Sequence, residues 1–169
     1  MKQLVALLAF FSLTAMTSGD VGREIHLKDS TFLKKAMQGG YSEVFLASQV
    51  LRRAKDPGVR HFAQTMIRDH TRNDAQIARL ARSMHVSVKR GPDLQAEQES
   101  TALHNLHQVR RLEYQYLTYE VNDHESDLTL FQREDQETKN PRLRKFVEAT
   151  IPILKRHLAL AQNTLNNRY

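Results

Sequence analysis

Apolar residues recur every three or four positions along four long segments, and the chain holds only six glycines and four prolines to interrupt them. Spacing of this kind lays one apolar stripe along a helix, whereas a half-buried strand would alternate residue by residue. The first segment carries Phe32, Ala36, Gly40, Ala47, Val50 and Ala54, and the second Val59, Phe62, Met66, Ile77, Leu80 and Met84. Leu117, Val121, Leu128 and Phe131 mark the third; Leu143, Phe146, Leu154, Ala161 and Leu165 mark the fourth. No alternating stretch competes as a strand, so the fold class is all-α.

Punctuation divides the segments. Asp29-Ser30-Thr31 offers caps for a first helix running to about Lys55. Asp56-Pro57-Gly58 is a turn in which Asp56 caps and Pro57 takes the first helical position. The second helix is predicted to end near Met84, and His85 to Pro92 connects to a short helix over Asp93 to His107. A third long helix reaches about Thr138, Asn140-Pro141 turns the chain, and a fourth ends near Asn166. The architecture predicted is a four-helix bundle of two helical hairpins joined by a long connector with a short helix, spanning residues 29–166.

The N-terminus has a different character. Lys2 precedes an apolar run from Leu4 to Leu13, broken only by Ser12, and small and polar residues follow. That is the layout of a secretory signal peptide over residues 1–19, with 20–28 as an N-terminal extension. The run falls short of the roughly 20 residues a membrane helix needs. The expectation is an exported protein of the periplasm or cell envelope, with no transmembrane segment once the signal is removed.

There are no cysteines, which excludes disulfides, thiolate metal sites and cysteine nucleophiles. The formal charge of +6 comes from bases scattered among acids, as in Arg52, Arg53, Lys55 and Asp56. Without a basic cluster interleaved with aromatics, nucleic-acid binding is not expected.

The informative feature is what interrupts the stripes. Glu43 lies between Gly40 and Ala47, His70 one turn past Met66, His124 between Val121 and Leu128, and His157 three residues after Leu154. A core stripe normally excludes such groups, because a buried carboxylate without a partner is costly. Glu43 stands about 13 residues before the first turn and His70 about 13 after it. His124 stands about 15 before the second turn and His157 about 17 after. At 1.5 Å per residue the mismatch within each pair is at most about 3 Å, so all four fall near mid-height. One Glu and three His suit a single Zn, Mn, Fe or Cu ion.

Ile67-Arg68-Asp69-His70 is echoed by Val121-Asn122-Asp123-His124. Neighbours on a helix are about 100° apart, so Asp69 and Asp123 cannot share their histidine's face but can orient a histidine on an adjacent helix. Surface pairing with Arg is the alternative for both. Glu120, one turn from His124, is a spare ligand, and Glu113 a weaker one. Pro152 removes one backbone hydrogen bond just before His157. His104 and His107 on the short helix are read as solvent-facing.

Two motif sets carry a resemblance. Phe32 to Val88 contains Phe-x3-Ala-x2-Gly-Gly-x2-Glu-Val and Val-x2-Phe-Ala-x2-Met-Ile-x-Asp-His; the C-terminal part contains Asp-His-x6-Phe and Ile-Pro-x-Leu-x2-His-Leu-x2-Ala. Together, over Asp29 to Leu165, they resemble a family of exported bacterial ferritin-like proteins catalogued as a domain of unknown function. The resemblance implies a ferritin-like bundle in the cell envelope and no particular activity. Di-iron carboxylate bundles, by contrast, use Glu-x-x-His motifs, and none occurs in this chain.

Two functional readings follow. In one, the protein has a structural or protein-interaction role in the envelope, and the four residues form a buried hydrogen-bonded network that sets helix register. In the other, Glu43, His70, His124 and His157 bind one divalent transition metal ion. Glu43 with a histidine would make an acid–base pair, yet no nucleophile or phosphate-cradling glycine loop accompanies it, so catalysis is not the expectation.

Overall fold

The computed structural model describes residues 18–169, and the predicted signal sequence lies, apart from its last two residues, outside them. Five helices account for nearly all of the described chain: α1 (Ser18–Arg53), α2 (Pro57–Ser83), α3 (Leu94–Asn105), α4 (Val109–Glu137) and α5 (Pro141–Arg168). The all-α class and the two hairpins with a short helix in the connector are as the sequence predicts.

One boundary differs. The first helix does not begin at Asp29; it is already helical at Ser18. The Ser30 and Thr31 hydroxyls both donate to the Leu27 carbonyl at 2.9 Å, so they bond back into a continuing helix instead of capping a new one. Lys28 pairs with Glu24 one turn earlier at 3.3 Å, and Asp29 is buried. Nothing in this stretch breaks a helix, and capping residue types alone do not force one to start.

Both hairpins close by the same device. Asp56 accepts hydrogen bonds from the Gly58 and Val59 amides (2.7 and 3.2 Å), and Asn140 accepts from those of Arg142 and Leu143 (3.0 and 3.3 Å). A proline follows each cap. Four residues after each cap an arginine turns back onto the preceding helix. Arg60 donates to the carbonyls of Leu51 and Ala54 (3.0 and 2.9 Å), and Arg144 to those of Asp135 (2.6 Å) and Thr138. The carbonyls left over at a helix end are thus satisfied by a cation, which also suits the helix dipole.

The connector sets the topology. Asp93 caps α3 through the Ala96 amide (2.8 Å), and its own amide donates to Ser42 on α1 (3.0 Å). Arg53 at the end of α1 donates to the carbonyls of Leu103 (2.8 Å) and Leu106. The connector therefore climbs along α1 and delivers α4 to the end of the bundle where α1 stops. There Glu113 accepts the Lys55 and Asp56 amides (2.6 and 2.8 Å) and the Tyr169 hydroxyl (3.1 Å), tying the first turn to α4 and the chain end. Glu113 is thus a clamp on the turn. The order is up, down, down, up, with α1 against α2 and α4, and α2 also against α5.

The apolar core is in two parts. One contains Leu46, Val50, Phe62, Met66, Leu112, Tyr116 and Leu117 at the Asp56 end; the other contains Phe32, Leu33, Met37, Ile77, Phe131, Phe146 and Leu154 at the Asn140 end. A layer of Glu and His separates them. α1 and α2 approach closely at Gly40, where a Cβ would stand 2.1 Å from Asp74 Oδ1. Gly40→Ala is therefore expected to destabilise the fold by about 1–3 kcal/mol despite alanine's better helix propensity. Chemical denaturation checks this, and Asp74→Ala in the same chain should restore most of the loss.

Candidate metal centre

Each long helix contributes one residue to the layer. Glu43 comes from α1, His70 from α2, His124 from α4 and His157 from α5, and all four are buried. The rings sit with centroids 5.2 Å (His70–His157), 5.4 Å (His124–His157) and 5.8 Å (His70–His124) apart. His157 Nδ1 lies 3.3 Å from His70 Nε2 and 3.4 Å from His124 Nε2.

The other nitrogen of each ring faces an oxygen. His70 Nδ1 lies 2.6 Å from Glu43 Oε2. His124 Nδ1 lies 2.9 Å from its own helix's Glu120 carbonyl, and His157 Nε2 lies 3.1 Å from Asp69 Oδ2. Asp69 sits on α2 and reaches His157 on α5, the adjacent-helix placement that its position beside His70 allows. Arg68 pairs with the other Asp69 oxygen at 2.9 Å. Asp123 differs: among the described residues no hydrogen bond joins it to a histidine. It is half-buried on α4, near Asp93, Asp127 and Glu120.

The four predicted residues therefore meet at one height but make two groupings. The three histidines offer one nitrogen each within 4.8 Å of one another, and Glu43, Glu120 and His124 form a second such group. Glu43 Oε1 is 3.4 Å from His124 Nε2, and Glu120 Oε2 is 3.7 Å from His124 Nδ1. The Tyr116 hydroxyl neighbours Glu120 without making a well-formed hydrogen bond. His104 and His107 are exposed.

Burial dominates the electrostatics. It holds the His70 imidazole well below its usual range and His124 down to about 3, aided in both by neighbouring histidines. His157 is lowered by burial and partly restored by Asp69. Burial works against Asp69 as well, yet hydrogen bonds from Arg68 and His157 hold it below the ordinary carboxylate range. Glu43 and Glu120 are pushed well up by burial and by surrounding acids. The imidazoles are thus neutral at physiological pH, the form a metal ion requires.

Sequence reasoning missed Asp127 and Asp74. Burial raises Asp127 to about 8, with Asp123 and Asp93 adding to it, and raises Asp74 to about 7. A signal was available: Glu120, Asp123 and Asp127 stand at i, i+3 and i+7, the spacing of a buried stripe.

A family model described as "Domain of unknown function (DUF4142)" matches residues 15–164. Among solved structures, a DUF305 fragment from Deinococcus radiodurans is similar at TM-score 0.74 and 14% identity, covering 83% of this chain and 96% of that one. CopM in its Cu(II)-bound form is similar at TM-score 0.68 and 16% identity, covering 83% and 98%. Its Cu(I)-bound form is similar at TM-score 0.68 and 17% identity, covering 83% and 97%. No curated protein matches the chain. At these identities the likeness is one of fold.

The raised acids and lowered histidines make a stability prediction. An acid whose folded pKa is raised stabilises the fold below its unfolded value and loses that contribution as pH climbs through the folded one. Asp74 at about 7, and Asp127 and Glu134 at about 8, act this way, as do Glu43 and Glu120. The histidines, lowered, oppose them below about pH 6.5. The melting temperature of chelator-treated protein should therefore fall as pH rises from about 6.5 to about 8, with a flatter dependence on the acid side. A melting temperature that rises across that interval would contradict the assignment.

Proposed function

We propose that this chain, which belongs to the DUF4142 family, holds one transition metal ion at the middle of its bundle, between His70, His124 and His157. The observation that carries the reading is the direction of the three lone pairs. The partner of each ring assigns its tautomer. A cation among the rings would keep Glu43 ionised against the burial that raises it; His70 Nδ1 then pairs with Glu43 Oε2 across 2.6 Å, while His124 donates from Nδ1 to the Glu120 carbonyl and His157 from Nε2 to Asp69. His70 Nε2, His124 Nε2 and His157 Nδ1 are then unprotonated and face one another across 3.3 and 3.4 Å. Converging lone pairs repel unless a cation lies among them. Nitrogens about 2.0–2.1 Å from a tetrahedrally bound ion stand about 3.3–3.4 Å apart, which matches the two distances from His157 Nδ1.

Imidazole nitrogen suits Zn, Cu, Fe or Ni, so the donor set points to that class and away from Mg or Ca. Glu43 and Asp69 take the role of carboxylates that fix ring orientation and raise ligand basicity. Glu43 Oε1, 3.4 Å from His124 Nε2, is a protein oxygen available for a fourth position. The copper- and silver-bound forms of CopM support the reading through the likeness of fold. We place the mature protein in the cell envelope on the strength of Lys2 and the short apolar run after it. Among the described residues no helix is long and apolar enough to cross a membrane.

The 2.6 Å approach of Glu43 to His70 favours a second reading. A protonated Glu43 would donate to His70 Nδ1, move the imidazole proton to Nε2, and complete a hydrogen bond to His157. The layer would then be a polar network that sets helix register in a structural or interaction protein, without an ion.

Elemental analysis of untagged protein from its native compartment separates the two. Under the metal reading the parent carries near-stoichiometric metal, His124→Ala loses it, and Asp69→Asn weakens binding by about 10–100-fold. Absence of metal from a folded parent, with His124→Ala costing only about 1–3 kcal/mol of stability, would leave the network reading in its place.

A further inference from the structure

Two buried carboxylates beside the histidines lack a hydrogen-bond donor of good geometry, and we propose that they form a second cation seat, made by Glu43, Glu120 and His124 and suited to a hard divalent ion such as Mn²⁺. The proposal shares His124 and Glu43 with the trihistidine reading and otherwise stands apart from it. One ligand atom from each of the three residues lies within 4.8 Å of the others, in a grouping separate from the trihistidine one. Glu43 and Glu120 are fully buried, and none of their four oxygens has a well-formed hydrogen bond, Glu43 Oε2 meeting His70 Nδ1 as a close ion-pair contact. A carboxylate in such a place needs a proton or a cation.

The chain has cations to spare and uses none of them here. Of 25 Lys and Arg, those that form ion pairs among the described residues meet Glu24, Asp56, Asp69 and Glu137. None pairs with Glu43, Glu120, Asp123 or Asp127. The last two are half-buried, so Glu120, Asp123 and Asp127 make a ladder of carboxylates down one face of α4. On α1 the ladder faces Gly39, where a Cβ would stand 3.8 Å from Asp127 Oδ1. The ladder leads a cation from solvent toward Glu120. Carboxylate oxygens favour harder ions than imidazoles do, which distinguishes this seat chemically from its neighbour. His124 Nε2 is 3.4 Å from both His157 Nδ1 and Glu43 Oε1, and one lone pair serves one ion, so the two seats alternate in its use.

The test is a titration of the mature protein with Mn²⁺ followed by the loss of the free-ion electron paramagnetic resonance signal, beside a Zn²⁺ titration. The parent should bind about one Mn²⁺ per chain, His157→Ala should keep that affinity, and Glu120→Gln should weaken it by about tenfold or more. Zn²⁺ binding should show the reverse dependence, lost in His157→Ala and kept in Glu120→Gln. Glu120→Gln is isosteric with the buried acid, so its helical circular dichroism should match the parent. Glu43→Gln, which keeps an acceptor for His70, should weaken Mn²⁺ binding as Glu120→Gln does. A parent that does not bind Mn²⁺, or one whose Mn²⁺ binding falls as much in His157→Ala as in Glu120→Gln, would overturn the second seat. Mn²⁺ binding that follows Glu120 in a parent with no affinity for Zn²⁺ would support this seat while the trihistidine reading falls.

Discussion

The contact on which the molecule turns is the one between Glu43 Oε2 and His70 Nδ1, 2.6 Å apart with neither group open to solvent. Removing an acid and three imidazoles from water is costly unless each finds a partner. The groups and their partners together come from four helices. Glu43 on α1 holds His70 on α2, and Asp69 on α2 holds His157 on α5, so a one-turn shift among these three helices would strand a polar group in the core, while the Glu120 carbonyl holds His124 within α4 itself. The layer also divides the apolar packing into two clusters, each of which must be complete on its own. Register is thereby specified far more tightly than apolar stripes alone would do, since stripes tolerate sliding and buried polar partners do not.

What keeps the four helices at that common height is the closure of the hairpins. Each turn uses a capping oxygen, a proline, and an arginine four residues on that gathers the last carbonyls of the helix before it. The rule is the same at both ends of the bundle, at Asp56 and at Asn140, and it fixes where each helix stops. Glu113 then fastens the first turn to α4 and to Tyr169. Because α3 climbs along α1 before α4 begins, α4 descends beside α1, and His124 arrives level with Glu43.

The likeness to DUF305 and CopM structures is one of helical arrangement, and bundles of this kind host unrelated chemistries. The chemical argument therefore rests on this chain's own donors: three imidazoles whose remaining nitrogens are taken by oxygens, and next to them carboxylates left without cations. Nitrogen and oxygen donors side by side give the bundle interior two coordination characters within a few ångströms, with His124 at the boundary.

Much of this was legible in the residues alone. The three-and-four spacing dictates helices, the scarcity of glycine and proline lets them be long, and Asp56-Pro57 and Asn140-Pro141 mark the turns because a cap followed by proline cannot continue the helix before it. Counting residues from those turns placed Glu43, His70, His124 and His157 at one level, because helical rise is constant. The start of α1 was not legible: Asp29, Ser30 and Thr31 look like caps, and only packing decided that the helix runs through them. Nor could the sequence say that Asp69 reaches a histidine while its counterpart Asp123 does not. That depends on which helix lies beside each, a choice made by the connector. The sequence by itself determined the residue types in the core and their height. Tertiary structure decided which nitrogen faces which oxygen, because distances between helices are set by side chains meeting across the bundle and not by spacing along the chain.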